Sequence, residues 1–243
     1  MKRKNGDDDV FGFGQLIGIL KKNPKKIVFT EGEDPRILEA SSRLLASYFL
    51  HPILIGDEKR IADAAEESGF NIRGAEIIDP EKFDKIDEMV ELYCELRKKK
   101  GVTPDQAREI LKQANYFGTM LVKMGFADAL LGGATYSTAD TVRPALQLIK
   151  TKPGNNLVSS CFILVRPSAT GDNEVLAMGD CAININPTED DLVEIAGETA
   201  KCARIFDVDP KIAFLSYSTH GSGKGEAVDK MRNAAQKTKE KYP

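Results

Sequence analysis

The chain has 243 residues, of which 42% are hydrophobic and 29% charged, and its formal net charge is −3. This composition predicts one large folded domain or two modest ones, and it excludes a small disulfide-stapled module or a disordered chain. The near-balanced charge argues against a nucleic-acid-binding protein, which usually carries a basic excess. No apolar run approaches the roughly 20 residues that span a bilayer, and the charged start is not followed by an export signal. We therefore expect a cytoplasmic protein without membrane or nucleic-acid partners.

The cysteine spacing argues against both zinc binding and a disulfide framework. The four cysteines are Cys94, Cys161, Cys181 and Cys202, and the two histidines are His51 and His220. A zinc site would use close ligand pairs, and the sequence has no CxxC pair. A disulfide framework is not expected at this size without an export signal. The sequence therefore predicts no metal site and four reduced, partly buried thiols.

Short apolar runs alternate with segments of helical periodicity along the chain. We predict strands at residues 26–30, 51–56, 75–80, 127–133, 157–165, 174–180 and 211–217. We predict helices at residues 11–22, 36–49, 57–68, 84–99, 103–124, 138–150, 187–206 and 225–241. The alternation of strands and helices predicts a parallel sheet covered by helices. A turn-rich stretch at residues 152–156 suggests a first domain at residues 1–152 and a second at residues 153–243.

The loop at residues 131–144 is the first candidate for chemistry. Its glycines allow tight turns, and Ser137, Thr138 and Thr141 lie at a helix N-terminus, where N–H groups favour an anion. Arg143, about one turn into that helix, offers a two-pronged contact to the same anion. Capping of the helix by these hydroxyls, which needs no ligand, explains the pattern equally well.

The loop at residues 216–225 is the second candidate, and it carries Ser218, Thr219 and Ser222. Its Gly-Lys pair suggests a P-loop, but the spacing is wrong, so no nucleoside triphosphatase is implied. A site for a small anion and a flexible turn remain open, and His220 is a weak candidate base.

Two charged segments have ordinary structural explanations from sequence alone. Residues 97–100 suit a solvated helix end, and Glu31, Glu33 and Asp34 suit an exposed acidic turn. The sequence contains no GxSxG elbow, HExxH helix or GxGxxG fingerprint.

Read together, several stretches resemble the phosphate acetyltransferase (phosphotransacetylase) family, within the phosphate acetyl/butaryltransferase group. The most specific is GATYSTADTVRPA at residues 133–145. The others lie at residues 26–38, 116–120, 180–185 and 215–222. Many family members have His in place of Tyr136 and Lys in place of His220, and neither departure removes an arginine or a hydroxyl.

The resemblance implies reversible acetyl transfer, in which acetyl-CoA and phosphate give acetyl phosphate and CoA, without a tightly bound cofactor. It implies two α/β domains of three-layer α/β/α character with mainly parallel sheets, as in isocitrate and isopropylmalate dehydrogenases, with the active site between them, commonly in a homodimer. The family's substrate-binding arginines match Arg97 and Arg143, and we predict that the Ser and Thr side chains of the two loops bind substrate with them. Its catalytic Ser-Arg and Asp belong to a C-terminal segment that has no counterpart in this chain, so we expect a truncated sequence whose first domain that segment would complete.

Three other functions are compatible with parts of this pattern. A phosphate butyryl- or propionyltransferase is the nearest, because nothing in the sequence sizes the acyl pocket. A non-catalytic phosphotransacetylase-like domain, such as those attached to some malic enzymes, is the second alternative, and the absence of a malic-enzyme segment in this sequence argues against it. A nicotinamide dehydrogenase of related architecture is the third, and the absence of a dinucleotide-binding fingerprint argues against it.

Overall fold

The computed structural model describes residues 13–167, 173–219 and 221–243. The chain divides into two compact units. One spans residues 15–150 and is here called the N-terminal unit, and the other, which includes residues 151–243 and also residues 13 and 14 of the described chain, is here called the C-terminal unit. In the described part of the chain, no helix is both long and apolar enough to cross a membrane. The two units differ in secondary structure, and each buries its own set of apolar side chains.

The N-terminal unit is built around a parallel sheet. Its elements are α1 (Phe13–Lys22), β1 (Lys25–Phe29), α2 (Pro35–Ser47), β2 (Leu50–Ile55), α3 (Glu58–Ser68), β3 (Glu76–Ile78), α4 (Ile86–Arg97), α5 (Pro104–Leu111), α6 (Ala114–Lys123), β4 (Ala129–Leu131) and α7 (Thr138–Pro144). Short 3₁₀ and π turns follow α4 and α7. Among the described residues, the four strands pair in the order β3-β2-β1-β4, all parallel. This arrangement confirms the predicted α/β class.

Both faces of this sheet are covered by helices. Side chains alternate between the two faces of a strand. Val28 and Ile53, which are paired in register, pack with Phe117 and other side chains of α4, α5 and α6. Phe29 and Leu54 point the other way and pack against α2 and α3. Each of these large side chains is almost fully buried, which stabilises the fold by about 1.5–3 kcal/mol per side chain. The N-terminal unit therefore has three layers, α/β/α.

Two of the predicted helices are interrupted. The helix expected over residues 103–124 is two helices, α5 and α6, because Gln113 between them is extended (φ −77°, ψ 120°). The helix expected over residues 138–150 changes to a π turn after Pro144. Pro144 has no N–H to give to the carbonyl of Asp140, and the Asn115 side-chain amide donates to that carbonyl instead, at 2.8 Å. A tertiary contact thus replaces the missing helical hydrogen bond.

The C-terminal unit combines a hairpin with two helices. Its elements are β5 (Cys161–Pro167), β6 (Asn173–Gly179), α8 (Glu189–Ile205) and α9 (Glu226–Lys241). β5 and β6 pair antiparallel, from Cys161 opposite Gly179 to Pro167 opposite Asn173. The difference from the parallel pairing in the N-terminal unit has a simple cause. Only five residues separate the two strands, whereas a parallel crossover needs a dozen or more.

The strand predicted at residues 211–217 is wrong. Residues 208–216 have no regular secondary structure, and the side chains of Leu215 and Tyr217 are 72% and 70% exposed. A strand needs a hydrogen-bonded neighbour, and the described part of the chain supplies none here. The apolar residues of this segment are typical of a strand, but they do not form one in this structure.

Candidate functional site

The candidate site of the N-terminal unit lies where the strand order reverses. From β1 the chain proceeds to β2 and β3 on one side of the sheet, while β4 joins the other side of β1. In open α/β sheets, ligands bind at such a switch point, outside the carboxyl ends of the strands. The loops after β1 and β4 meet there, and the second of these is the glycine-rich loop at residues 131–137, here called the β4 loop.

Glu31, two residues after the end of β1, holds the β4 loop in place. Its Oε1 accepts hydrogen bonds from the backbone N–H groups of Gly133 at 3.1 Å and Thr135 at 2.9 Å. Its Oε2 accepts one from the Thr30 hydroxyl at 2.8 Å. Partial burial alone would raise the pKa of Glu31, but these hydrogen bonds outweigh it and lower the pKa below its usual value. Glu31 is therefore an ionised anchor, and the expectation that it belongs to an exposed acidic turn is wrong.

Arg36 ties the next part of the β4 loop to helix α2. Its guanidinium makes a two-pronged contact with Asp34, at 2.9 and 2.6 Å, and also donates to the carbonyl of Ala134 at 2.8 Å. Asp34 in turn caps the N-terminus of α2. Within the loop, Gly133 has a φ of +107°, a conformation that a side chain would strain. The loop conformation is thus set by residues about 100 positions earlier in the sequence.

Ser137, Thr138 and Thr141 lie at the start of α7, as predicted, but two of their hydroxyls already have partners. Ser137 is the N-cap, and its Oγ accepts from the N–H of Asp140 at 3.1 Å and donates to that carboxylate at 2.6 Å. The Thr141 hydroxyl donates to the Ser137 carbonyl at 3.1 Å. Thr138 is the first residue of the helix and is exposed. The capping explanation is therefore realised in this structure.

Arg97 and Arg143 both belong to the N-terminal unit. Arg97 is the last residue of α4, and its Nε is buried without a hydrogen-bond partner among the described residues. Arg143 is exposed, and its contact with Asp140 is a long ion pair of 3.5 Å. The lysines at 98–100 are exposed, as expected for a solvated helix end. Of the predicted residues in this unit, the two arginines retain the most capacity to bind an anion.

A cleft of about 760 Å³ opens beside this site, at the carboxyl ends of β1, β2 and β3. Its basic side chains are Arg60, Lys82 and Lys112, and each forms an ion pair with a carboxylate, at distances between 2.7 and 3.3 Å. Tyr136 also lines the cleft, and burial raises the pKa of its hydroxyl. Each basic side chain of the cleft is therefore already paired with a carboxylate, whereas the Nε of Arg97 has no partner among the described residues.

Ser218, Thr219 and Ser222 belong to the C-terminal unit, and their hydrogen bonds order their own loop. The Oγ of Ser218 accepts from the N–H of Gly223 at 2.9 Å. The Oγ of Ser222 accepts from the N–H of Thr219 at 3.1 Å. His220, the weak candidate base, lies outside the described residues. The structure thus places three of the predicted residues in one unit and five in the other.

Sequence reasoning missed three residues that shape the site, Glu31, Arg36 and Asn115. A signal for Glu31 was present, since it lies two residues after the end of β1 and the carboxyl ends of parallel strands share one edge of the sheet. No local pattern marks Arg36 or Asn115, because their partners are a loop carbonyl and the carbonyl of Asp140.

Comparison with known proteins covers nearly the whole chain. A phosphate acetyltransferase of Bacillus subtilis (strain 168) is 48% identical over 218 residues, which are 90% of this chain and 66% of that protein. A phosphate acetyltransferase of Nitratidesulfovibrio vulgaris is 43% identical over 94% of this chain and 32% of its own length. The crystal structure of a phosphotransacetylase from Streptococcus pyogenes superimposes with a TM-score of 0.87 at 45% identity, covering 96% of this chain and 69% of that one.

The chain thus spans between a third and about two thirds of the length of these relatives. The profile of the phosphate acetyl/butaryl transferase family matches residues 13–243, which include both units and all eight predicted site residues. The chain therefore belongs to the phosphate acetyl/butaryl transferase family.

Proposed function

We propose that this chain is part of a phosphate acetyltransferase, which moves an acetyl group reversibly between CoA and inorganic phosphate. The observation that carries the proposal is the identity of 41–48% to proteins named phosphate acetyltransferase, over at least nine tenths of the chain. The substrates would be CoA or acetyl-CoA, acetyl phosphate and phosphate, with no tightly bound cofactor.

The reaction needs few catalytic parts. In the direction of acetyl-CoA formation, the CoA thiol loses its proton, and the thiolate attacks the acetyl carbonyl of acetyl phosphate. The carbon–oxygen bond to phosphate then breaks, and phosphate leaves with its charge. No covalent intermediate on the protein is required. The main demands on the chain are to hold anionic groups, to offset their charge and to orient the two substrates.

Arg97 supports this proposal through its unpaired Nε. A buried guanidinium N–H without a partner is unfavourable, and an anionic oxygen from a ligand would satisfy it. Arg143 supports it through its exposure, because a 3.5 Å surface ion pair contributes little and leaves the side chain able to turn toward a ligand. A guanidinium suits phosphate because it donates two parallel hydrogen bonds.

The hydroxyl groups have a secondary role in the proposal. Ser137 and Thr141 stabilise the first turns of α7 and thereby fix the position from which Arg143 extends. Thr138 keeps an exposed side chain beside them. Ser218, Thr219 and Ser222 are proposed to contact substrate from the loop before α9. The catalytic Ser-Arg and Asp implied by the resemblance have no counterpart in these 243 residues.

The decisive experiment is an assay of acetyl-CoA formation from acetyl phosphate and CoA, followed by thioester absorbance, on the complete gene product. We expect turnover with acetyl phosphate, and little or none with residues 1–243 alone. Absence of turnover by the complete product would overturn the proposed function. Faster turnover with butyryl phosphate or propionyl phosphate in the same assay would replace acetyl by the longer acyl group. Robust turnover by residues 1–243 would overturn our placement of the catalytic groups.

Replacement of single arginines tests the proposed binding residues. In the complete protein, Arg97→Ala or Arg143→Ala should weaken the use of acetyl phosphate by about 1.5–3 kcal/mol, the usual loss for a charged hydrogen bond. Arg43→Ala is a matched control, because Arg43 is an exposed helical arginine paired only with Glu39 in the described structure. An unchanged Michaelis constant and rate in the Arg97 and Arg143 variants would remove these residues from the site.

The proposed enzyme is a cytoplasmic homodimer. This part of the proposal rests on the family resemblance alone. Light scattering of the complete gene product during size-exclusion chromatography would test it, and a monomeric mass would contradict it.

A further inference from the structure

Two thiols from different elements of the C-terminal unit lie in direct contact. Cys161 is the first residue of β5, Cys202 lies in α8, and their sulfur atoms are 2.9 Å apart. Both residues are half-buried, and neither is in a disulfide. They are 41 positions apart in the sequence, so the contact is created by the packing of the hairpin against the helix.

A third thiol, that of Cys181, lies near Cys161, but its hydrogen bond is to the backbone and not to another sulfur atom. Cys181 follows β6, and its sulfur is 3.0 Å from the carbonyl oxygen of Met178, to which the thiol donates a hydrogen bond. Cys94 belongs to the N-terminal unit. Among the three cysteines of the C-terminal unit, the geometry thus selects one pair of sulfur atoms.

We propose that Cys161 and Cys202 are a reversible oxidation site, which a hydroperoxide converts to a disulfide. A disulfide bond is about 2.05 Å long, so the two sulfur atoms need to approach by only about 0.9 Å. That movement is within reach of small side-chain rotations. The packing of β5 against α8 already holds the two sulfur atoms in contact.

The chemistry balances with hydrogen peroxide as the oxidant. Burial and the neighbouring thiol of Cys202 raise the pKa of Cys161 above its usual value. In the first step, the thiolate of one of the two cysteines attacks one peroxide oxygen. The O–O bond breaks, the departing hydroxide takes up the proton that the thiol has lost and forms water, and that cysteine becomes a sulfenic acid.

In the second step, the sulfur of the other cysteine attacks the sulfenic sulfur. The S–O bond breaks, and the hydroxide leaves as water with the proton of the attacking thiol. In total, two thiols and one peroxide give one disulfide and two water molecules. The two electrons lost by the thiols reduce the peroxide. A thiol reductant reverses the reaction by exchange.

The disulfide would close a loop that contains the hairpin and most of α8. Closing such a loop restricts the unfolded chain and stabilises the folded state. We therefore expect the oxidised protein to unfold at a higher temperature than the reduced protein, by several degrees. The difference should vanish when a reductant is added.

The test is peptide mapping of the protein after exposure to hydrogen peroxide, with alkylation of the remaining thiols. We expect a linked peptide that joins Cys161 to Cys202 and has lost two hydrogen atoms, together with alkylated Cys94 and Cys181. Cys202→Ser should remove both the linked peptide and the rise in unfolding temperature. Cys181→Ser, the matched control, should retain both.

Three results would overturn the proposal. One is a linkage through Cys181, another is a linkage between two chains, and the third is full alkylation of Cys161 and Cys202 after peroxide treatment. Because the peptide map is read on the wild-type protein, it decides the question even if a serine variant folds poorly. It also does not depend on catalysis, so its outcome is independent of the proposed acetyl transfer.

Discussion

Two loops of the molecule, residues 131–137 and residues 216–225, are both rich in glycine and hydroxyl side chains. They differ in the hydrogen bonds that fix their conformation. The first follows a strand of the parallel sheet and is fixed by Glu31 and Arg36, about 100 positions away. The second follows a segment without regular structure, and its described side-chain hydrogen bonds span seven residues or fewer. The comparison teaches that two loops of similar composition can differ in how they are held, because charged partners far away in the sequence fix only one of them.

The strongest way to break this comparison is to remove the anchor of the first loop. Glu31→Ala should lower the free energy of unfolding by about 2–3 kcal/mol, because the N–H groups of Gly133 and Thr135 lose a charged acceptor. Urea denaturation followed by circular dichroism measures this change. Glu33→Ala is the matched control, since its ion pair with Arg60 is largely exposed and should contribute less than about 1 kcal/mol. Equal effects of the two substitutions would mean that Glu31 does not hold the loop.

A second substitution tests the support of the helix that follows the same loop. Asn115→Ala should lower the free energy of unfolding by about 1–2 kcal/mol, because the carbonyl of Asp140 loses the donor that replaces the absent N–H of Pro144. Urea denaturation again provides the measurement. Asn71→Ala is the control, because Asn71 is exposed and its amide oxygen accepts only a local hydrogen bond, from the N–H of Arg73. An Asn115 variant as stable as the Asn71 variant would show that α7 does not need this contact.

Much of the fold of the N-terminal unit was predictable because its signals are local. The apolar run around Val28 and the one around Ile53 each have the length of a buried strand, and both are central in the sheet. Asp57 is a capping residue at the predicted start of α3, and its carboxylate accepts from the N–H of Arg60. Such features depend on a few neighbouring residues, so a sequence reveals them.

The features that the sequence did not predict correctly depend on residues that are far apart in the sequence. The break at Gln113 has no glycine or proline to mark it, and the strand expected at residues 211–217 lacks a partner among the described residues. Glu31 lies in an acidic stretch that is typical of an exposed turn, and its role as an anchor depends on hydrogen bonds from the N–H groups of the β4 loop. The hydrogen bonds that hold the β4 loop were not predictable, because they join residues far apart in sequence. The role of Arg97 stays a prediction from the family resemblance.

Replacing one hydroxyl group in each loop compares the two loops directly, with smaller expected effects on stability. Ser137→Ala should lower the free energy of unfolding by about 1 kcal/mol, the usual loss for an N-cap. Ser218→Ala should change it by less than about 0.5 kcal/mol, because its hydrogen bonds lie within a loop that no regular strand precedes. Thermal unfolding of both variants and of Thr138→Ala, an exposed neighbour of the cap, measures the difference. A larger effect at Ser218 than at Ser137 would reverse the ranking of the two loops.

The smallest expected effect is the contribution of Glu31 ionisation to the pH dependence of stability. Partial burial raises the pKa of this carboxyl, but hydrogen bonds from Thr135, Thr30 and Gly133 outweigh it and lower the pKa below its usual 4.5. Since the folded pKa is the lower one, ionised Glu31 stabilises the fold above the unfolded pKa, and this contribution fades as the pH falls through the folded value. Urea midpoints should therefore fall more steeply for the wild type than for Glu31→Gln between about pH 5 and pH 3. Solvent screening of the half-buried carboxylate keeps the difference below that of the alanine variant. Parallel curves would mean that the negative charge of Glu31 does not hold the first loop, and Arg36 would then be its remaining anchor among the distant residues.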